Sequence, residues 1–274
     1  MPLGLEVRTG GLSAAALAFD AIAEDFDERF DSWRSVESQR RAVRRALAAA
    51  FPFGSRLIEI GGGTGTDALW MADHGRQVLM TDAAPSMVGA ASAKCRGRVR
   101  TAVAAAEELE RLADELHTEP LFDGAYSVFA GLNCVGDLHP FGRGIAPLLR
   151  PGAPLMLVVF GTCCPGEMIV ETLRGRPGNA LRRFRRSEVP ARLNGREFTV
   201  RYHRRKDMEG ALEPWFRLDA RQGIGVFVPP SAAEPWISRY PRLLGLLEAL
   251  DRVCARPLAP FADHILYRFV RTGE

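Results

Sequence analysis

The chain has 274 residues, 47% hydrophobic and 25% charged, a balance typical of a globular protein long enough for one large α/β domain. Its formal net charge of +3 gives no general argument for nucleic-acid binding. The longest apolar run, near residues 155–160, is too short to cross a bilayer, and the first residues lack the basic start and apolar core of a signal peptide. We therefore expect a cytoplasmic protein without a membrane partner.

Cysteine and lysine usage narrows the expectations further. Five cysteines stand at positions 95, 134, 163, 164 and 254, without a C-x-x-C pair or metal-ligand spacing to a histidine. An odd number in a chain expected to be cytoplasmic predicts free thiols and no metal site. Only two of the 36 basic residues are lysines, so arginine-rich runs are weak signals for a partner in this chain.

Two helices are predicted before residue 55, over 13–31 and 36–51. In the second helix, apolar residues recur at helical spacing and form one face. That face consists of Val36, Val43, Leu47 and Phe51. The arginines at positions 40, 41, 44 and 45 are predicted to face water, and Pro52 and Gly54 end the helix.

From residue 56 the chain alternates strands and helices, which predicts a parallel, doubly wound sheet. Strands are predicted over 56–60, 77–81, 99–103, 125–129 and 154–160, with helices over 66–74, 85–94 and 106–116. Beyond residue 164 the rhythm changes. We predict helices over 166–186, 207–213 and 232–254, a hairpin over 192–204 that turns at Asn194-Gly195, and strands near 223–228 and 265–270.

The most informative segment is a glycine-rich turn, residues 61–65, between a predicted buried strand and a helix. A phosphate-binding P-loop is excluded, because Thr66-Asp67 stands where Lys-Ser/Thr is needed. A nicotinamide dinucleotide is disfavoured, because Thr66 replaces the last glycine or alanine and Asp67 would repel a diphosphate. S-adenosylmethionine fits better, because it is cationic and has no phosphate. Glu59 and Asp82 end two successive strands, where they could hold its ammonium and its ribose hydroxyls.

These motifs occur with others in a fixed order. Segments 19–27, 59–65, 78–87, 122–127 and 148–152 together resemble the class I S-adenosylmethionine-dependent methyltransferase family. Segments 131–138 and 223–231 resemble a bacterial subgroup of that family. The resemblance implies an α/β fold: a doubly wound, Rossmann-like, seven-stranded sheet with a C-terminal antiparallel strand and an inserted helix/hairpin cap.

The resemblance also implies a single methyltransferase domain over residues 1–274. Residues 1–55 would form an N-terminal helical lid and 56–161 the cofactor-binding core. Residues 162–262 would form the cap insertion with strand six, and 263–274 the final strand.

S-adenosylmethionine is the cofactor that the resemblance implies, and it carries over a set of binding residues. They are Phe26, Glu59, Gly61, Gly62, Gly63, Gly65, Asp82, Ala83, Met87, Ala106, Glu107 and Phe129. Two positions depart from the family pattern. Ala105 stands where an Asp usually holds the adenine, so we expect that contact from the main chain of Ala106 or the carboxylate of Glu107. Phe26 stands where a Tyr is common, which removes a hydroxyl.

Methyl transfer from a sulfonium needs alignment and exclusion of water, and it needs a base only where the acceptor must lose a proton. Ligands of a doubly wound sheet bind at the carboxyl ends of its strands. The predicted catalytic candidates are therefore Asn133 and His139, after the fourth strand, and His203 in the hairpin. Each has an ordinary alternative: Asn133 as a brace of the turn, and the two histidines as surface residues. The thiol of Cys134 has nothing nearby in sequence to activate it.

The acceptor is predicted to be a small, partly apolar molecule, because aromatic residues recur in the cap and tail. The arginines between 174 and 186 could bind an acidic substrate, a lipid or RNA, but a solvated helix face is the preferred interpretation. The predicted function is methyl transfer by in-line displacement, in secondary metabolism, by a monomer or homodimer. The alternatives are a cofactor-binding protein with a regulatory or non-methylating role, and an RNA methyltransferase.

Overall fold

The centre of the protein is a mainly parallel sheet, seen in a computed structural model that describes residues 6–7, 11–129 and 131–273. Within these residues the sheet has eight strands in the order β1-β4-β3-β2-β5-β6-β10-β9. They are β1 Glu6–Val7, β2 Arg56–Ile60, β3 Gln77–Asp82, β4 Arg100–Ala104, β5 Gly124–Ser127, β6 Pro154–Phe160, β9 Phe216–Ile224 and β10 His264–Arg271. A separate hairpin consists of β7 Val189–Leu193 and β8 Arg196–Val200.

The predicted seven-stranded, doubly wound sheet with an antiparallel C-terminal strand is confirmed. β10 runs antiparallel to both β6 and β9, and strands β2 to β6 pair in parallel. The strand β1 was not predicted. It adds two residues to one edge, where it pairs in parallel with Val103 and Ala104 of β4. Two residues are too few to show the alternating pattern by which strands are recognised.

Helices cover both faces of the sheet. In chain order they are α1 Ala14–Asp20, α2 Phe26–Asp31, α3 Arg34–Ala50, α4 Thr66–Asp73, α5 Pro85–Cys95, α6 Leu109–Glu115, α7 His139–Ile145, α8 Pro165–Leu173, α9 Pro177–Ala180, α10 Arg205–Leu212 and α11 Pro241–Cys254. No helix in the described ranges is long and apolar enough to cross a membrane.

Two apolar layers hold these helices to the sheet, one on each face. Leu57 and Ile58 are neighbours in β2, yet Leu57 packs with α3, α4 and α5 while Ile58 packs with α6, α7 and α10. Side chains alternate across a strand, so a continuous apolar run such as that of β6 supplies both layers. Both Leu57 and Ile58 are fully buried.

Three predicted helices differ from the structure. The predicted helix 13–31 is divided into α1 and α2 by a turn at residues 21–25. The predicted helix 166–186 is divided into α8, α9 and a 3-10 turn at Arg182–Phe184, because Gly175 has a left-handed φ of 71° and Pro177 begins a new helix. The predicted helix 232–254 consists of two 3-10 turns followed by α11, which begins at Pro241.

The hairpin prediction is confirmed, and its turn has the expected backbone. Asn194 and Gly195 connect β7 to β8 with φ values of 46° and 80°. Two positive φ values in succession match the twist of a two-residue hairpin turn, and Asn-Gly is the pair that accepts them at least cost. The hairpin lies against α1, where the rings of Phe19 and Phe198 are 5.8 Å apart.

Candidate functional site

The glycine turn after β2 exposes main chain on one side and is tightly packed on the other. Gly61, Gly63 and Gly65 have left-handed φ values of 66°, 56° and 74°, which residues with a Cβ rarely adopt. A Cβ on Gly62 would lie 2.4 Å from Cγ of Met80. At Gly63, by contrast, no atom of the described residues lies within 4 Å of the Cβ position. The turn is therefore packed against Met80 and Glu59 at Gly62, and it leaves space for a ligand at Gly63.

Asp82 ends β3 and is tied to this turn. Its Oδ2 accepts a hydrogen bond from the Gly63 N–H at 2.8 Å, and its Oδ1 accepts one from the Ala84 N–H at 2.9 Å. Burial raises the pKa of Asp82, against the opposing effect of these amides. Each carboxyl oxygen keeps a further lone pair. Asp82 is thus held in place while it can still accept hydroxyl groups such as those of a ribose.

Glu59 lies directly beneath the glycine turn. Its side chain is fully buried, and its Cδ would be 3.0 Å from a Cβ on Gly62. Among the described residues neither carboxyl oxygen has a hydrogen-bond partner, and the buried hydroxyls of Tyr126 and Ser127 are equally unpartnered. Burial, and after it the charge of Asp67, raises the pKa of Glu59 well above its usual range. An uncompensated acid here suits a cationic ligand and opposes a phosphate. Because Glu59 is fully buried beneath the turn, it would act on a ligand through its charge and not by direct contact.

Two arginines of α3 are drawn into this region, although they were predicted to face water. Arg44 Nε lies 2.7 Å from Asp67 Oδ1, and Arg40 Nε lies 3.8 Å from Asp67 Oδ2. Asp67 is buried in the first turn of α4, and α3 and α4 pack on the same sheet face. A buried carboxylate needs cationic partners, so the arginines turn inward. Arg45 is exposed as predicted.

The N-terminal segment is fastened over the glycine turn by Lys94 of α5. Lys94 Nζ pairs with Asp27 of α2 and donates to the hydroxyls of Thr64 and Thr66 at 3.0 and 2.9 Å. Thr64 also donates to Asp27 Oδ1 at 2.6 Å. Burial opposes ionisation, yet Lys94 and Thr64 outweigh it and lower the pKa of Asp27. We call these four residues the lid latch.

An apolar cluster continues the same contact at the end of β3. Met87 is buried against Ile22 and Ala23, with the half-buried Phe26 packed alongside. Ala83 is half-buried at the same strand end. The structure thus brings together Phe26 and Met87, which were predicted from separate segments.

The predicted adenine contacts lie at the end of the next strand. Ala106 and Glu107 begin a 3-10 turn after β4, and Glu107 is exposed. Cys134, after β5, lies close enough to feel the charges of Asp82 and Glu107. Burial, and then these two charges, raises the pKa of its thiol to about 12. Cys134 is therefore a neutral wall residue and not an activated nucleophile.

The three predicted catalytic residues occupy different places. Asn133 donates from Nδ2 to the Arg201 carbonyl at 2.6 Å and accepts from the Phe160 N–H at 2.9 Å. His203 is buried, with Nε2 3.1 Å and 2.9 Å from the carbonyls of Leu132 and Val135. Both side chains therefore hold the loop after β5.

The third, His139, stands apart from the other two. It is exposed at the start of α7, where its N–H donates to Asp137 Oδ1 at 3.0 Å. Burial lowers the pKa of His203, and its two carbonyl partners require a proton on Nε2. Catalytic roles for Asn133, His139 and His203 remain predictions.

A buried polar cluster at the ends of β6 and β10 was missed by the sequence analysis. Arg183 is 5% exposed and pairs with Glu167 and Asp263. Its Nε lies 3.0 Å from Glu167 Oε2 and its Nη2 lies 2.7 Å from Asp263 Oδ1. Arg182 also contacts Glu167, at 2.8 Å. The prediction of a solvated basic face is therefore wrong for these two arginines, because the chain places two acids against them.

Aromatic rings adjoin this cluster. The His264 ring stacks on Phe160 with centroids 4.8 Å apart and meets Phe129 edge-on at 5.7 Å, while Tyr202 lies 5.9 Å from Phe160. Phe129 follows β5 with a φ of 52°, a strained backbone for a bulky residue and a frequent mark of a functional position. A sequence signal existed for this ring cluster: Asp263 directly precedes the last strand and His264 begins it, at the same sheet edge as the glycine turn.

The described cysteines are free, as predicted, and no group of three potential ligands in the described residues is placed to hold a metal ion.

Comparison with known proteins agrees with this geometry. A family model for the methyltransferase domain matches residues 57–152. An S-adenosylmethionine-dependent methyltransferase from Mesorhizobium loti is 21% identical over 83% of this chain and 96% of its own, with a TM-score of 0.51. The CcbJ methyltransferase of Streptomyces caelestis is 13% identical over 93% and 98%, with a TM-score of 0.58. DhpI, solved with SAH, is 13% identical over 97% and 100%, with a TM-score of 0.58. No curated protein matches.

Proposed function

We propose that the chain, whose residues 57–152 match a methyltransferase domain, is a class I S-adenosylmethionine-dependent methyltransferase that acts on a small, partly apolar molecule. S-adenosylmethionine supplies a methyl group already activated on a sulfonium, so the protein's task is to bind, align and exclude water. Asp82 and the main chain at Gly63 would hold its ribose and aminoacyl ends, with Glu59 as the buried countercharge. Ala106, Glu107 and Met87 would lie around the adenine.

The observation that supports a small acceptor is the connection of the cap to the loop after β5. Arg201 donates from its N–H to the Asn133 carbonyl at 2.7 Å, and His203 bonds the carbonyls of Leu132 and Val135. The hairpin at the other end of this segment rests on α1. We infer from the contact between β8 and α1 that the cap and the lid cover the sheet edge together, an arrangement that favours a compact acceptor over a long polymer.

The charge distribution supports the same choice. Arg182 and Arg183, which were the centre of the basic segment, are occupied by Glu167 and Asp263. A phosphate backbone would need free cations on an accessible surface. The rings of Phe129, Phe160 and Tyr202 instead give the sheet edge an apolar lining.

As parts of the same proposal, we assign residues 1–55 to a lid, 56–161 to the cofactor core, 162–262 to a cap and 263–274 to the final strand. The methyl group would pass by in-line displacement. We propose that the activity belongs to secondary metabolism, as part of the same proposal of a small-molecule acceptor.

The test is to follow the fate of a radiolabelled methyl group. The full-length protein is incubated with methyl-labelled S-adenosylmethionine and either the small-molecule fraction or the RNA fraction of a bacterial lysate. We expect label in small molecules, together with S-adenosylhomocysteine in equal amount. Label in RNA would replace the proposal by the RNA alternative. Cofactor binding without transfer to either fraction would favour a regulatory protein.

A further inference from the structure

A chain of hydrogen bonds connects Asp263, Gln39 and His264. Gln39 Nε2 donates to Asp263 Oδ2 at 3.0 Å, and Gln39 Oε1 lies 3.0 Å from His264 Nδ1. A carboxylate only accepts hydrogen bonds, so the amide nitrogen of Gln39 must face Asp263 and its oxygen must face the histidine. All three side chains are at least nine-tenths buried.

This arrangement fixes the tautomer of His264. Because Gln39 presents an oxygen, Nδ1 carries the proton and donates it, and the lone pair of the neutral ring is on Nε2. No hydrogen bond among the described residues engages Nε2. The positioning is itself supported, since Arg183 holds the other oxygen of Asp263 at 2.7 Å.

Burial is the largest influence on the pKa of His264, and it lowers that pKa. Among the neighbouring charges, Arg183 also disfavours the protonated ring, whereas Asp263 and Glu167 favour it. The pKa of His264 is lowered overall. The neutral form is the one that can accept a proton. Burial would raise the pKa of Asp263, yet His264 and Arg183 lower it, so Asp263 stays an acceptor for Gln39.

His264 also lies where a methyl acceptor would bind. It is the first residue of β10 and pairs with Phe160, the last residue of β6, at the carboxyl edge of the parallel strands. Phe129, which contacts its ring, follows β5. The loop after Phe129 returns to the glycine turn, where the Gly131 Cα lies 3.6 Å from the Cβ position of Gly61.

We propose that His264 is the proton acceptor in methyl transfer and that the acceptor is a weakly acidic hydroxyl of the phenol type. This inference rests on the proposed function. A bond forms between the acceptor oxygen and the methyl carbon, the carbon–sulfur bond breaks with its electron pair left on sulfur, and the hydroxyl proton passes to Nε2. Gln39 and Asp263 act as positioning residues. A planar acceptor suits the neighbouring rings of Phe129 and Phe160.

The first test reads the protons directly. The ¹⁵N spectra of the labelled protein with S-adenosylhomocysteine bound contain five histidines, and loss of one signal in His264→Gln assigns His264. We expect a neutral ring at pH 7, protonated on Nδ1 and bare on Nε2. Gln39→Met leaves Asp263 Oδ2, 3.4 Å from Nδ1, as the remaining acceptor, so the Nδ1–H tautomer should lose population without being abolished. If His264→Gln fails to fold, Gln variants of the other four histidines assign His264 by elimination. An Nε2–H tautomer or an imidazolium of His264 in the wild-type protein would overturn the proposal.

The second test measures turnover with simple phenols, namely catechol and 4-nitrophenol, and labelled S-adenosylmethionine. For His264→Gln we expect the turnover rate near neutral pH to fall by about 10²–10⁴-fold. The rate should recover as the pH approaches the pKa of the free phenol, because the phenol then loses its proton without a base. His117→Gln, an exposed histidine on the far side of α6, is the matched control. Undiminished turnover in His264→Gln would refute the base while leaving the proposed function intact. Wild-type transfer to small molecules other than phenols would refute the acceptor class alone.

Discussion

The main-chain N–H of Gly63 donates a 2.8 Å hydrogen bond to the carboxylate of Asp82, and this bond joins the open turn after β2 to the end of β3. The two residues are adjacent across the sheet because β2 and β3 pair in parallel with their carboxyl ends at one edge. A ligand that lies along Gly63 must therefore meet Asp82. Rigid placement of both groups reduces the entropy lost when the cofactor binds.

Loss of the lid latch should weaken cofactor binding without unfolding the core. Lys94→Met removes the partner of Asp27 and the donor to Thr64, so the Kd for S-adenosylmethionine should rise about two- to fivefold, as expected for a half-exposed ion pair. Calorimetry measures the change. Lys206→Met, at the only other lysine and exposed on α10, is the control. If Lys94→Met and Lys206→Met changed the Kd equally, the lid latch would have no specific role in cofactor binding.

The glycine turn should tolerate a methyl group least at Gly62. Gly62→Ala places a Cβ 2.4 Å from Met80, and the overpacking should lower the free energy of unfolding by about 1–3 kcal/mol. Gly245→Ala, in α11 where a Cβ meets no described atom within 4 Å, should instead leave stability unchanged or raise it by about 0.4–1 kcal/mol. Urea unfolding compares the two. If Gly62→Ala and Gly245→Ala had equal free energies of unfolding, the glycine turn would be able to shift and accommodate the added methyl group, contrary to this prediction.

The buried Arg183 should contribute far more to the stability of the fold than the exposed arginines near it in sequence. Arg183→Gln leaves Asp263 without its cationic partner and Glu167 with Arg182 alone, and it should cost about 3–5 kcal/mol of stability. Arg186→Gln, at an exposed position of the same basic segment, should stay within about 0.5 kcal/mol of the wild type. Thermal or urea unfolding separates them. A small effect at Arg183 would restore the interpretation of a solvated basic face.

Glu59 should make the stability of the cofactor-free protein depend on pH. Burial raises its pKa above the ordinary 4.5, so the folded state keeps this proton to higher pH than the unfolded state does. Its contribution is therefore full below pH 4.5 and falls as the pH rises through the folded pKa. Glu59→Gln should match the wild type at low pH and exceed it in stability at about pH 8. Urea unfolding across this range is the measurement. A variant less stable at both ends would contradict a neutral buried acid.

Local patterns were sufficient to predict which residues meet at the glycine turn, the proposed cofactor half of the site. The glycine turn, Asp82 and Met87 lie in adjacent strand–turn–helix units, and parallel pairing brings such units to one edge by rule. The positions of Gly61 and Asp82 follow from chain order alone.

The buried polar cluster proposed for the acceptor half could not be predicted in this way. Gln39, Arg183 and His264 come from three distant segments and meet only through packing, as do Arg40 and Asp67. Helical periodicity assigns Gln39 and Arg40 of α3 to a polar face. It does not show that this face packs against the buried acids Asp263 and Asp67, which come from other elements. Only the Asp263-His264 pair at the start of β10 was visible as a local signal.

Binding of the cofactor at the Gly63–Asp82 pair tests the account most directly. S-adenosylmethionine and S-adenosylhomocysteine are titrated calorimetrically into the wild type, Asp82→Asn and the surface control Asp114→Asn. The account predicts saturable one-to-one binding to the wild type and the control, and at least about tenfold weaker binding to Asp82→Asn, the loss of about 1.4 kcal/mol for one charged hydrogen-bond acceptor. Unchanged affinity in Asp82→Asn would contradict it.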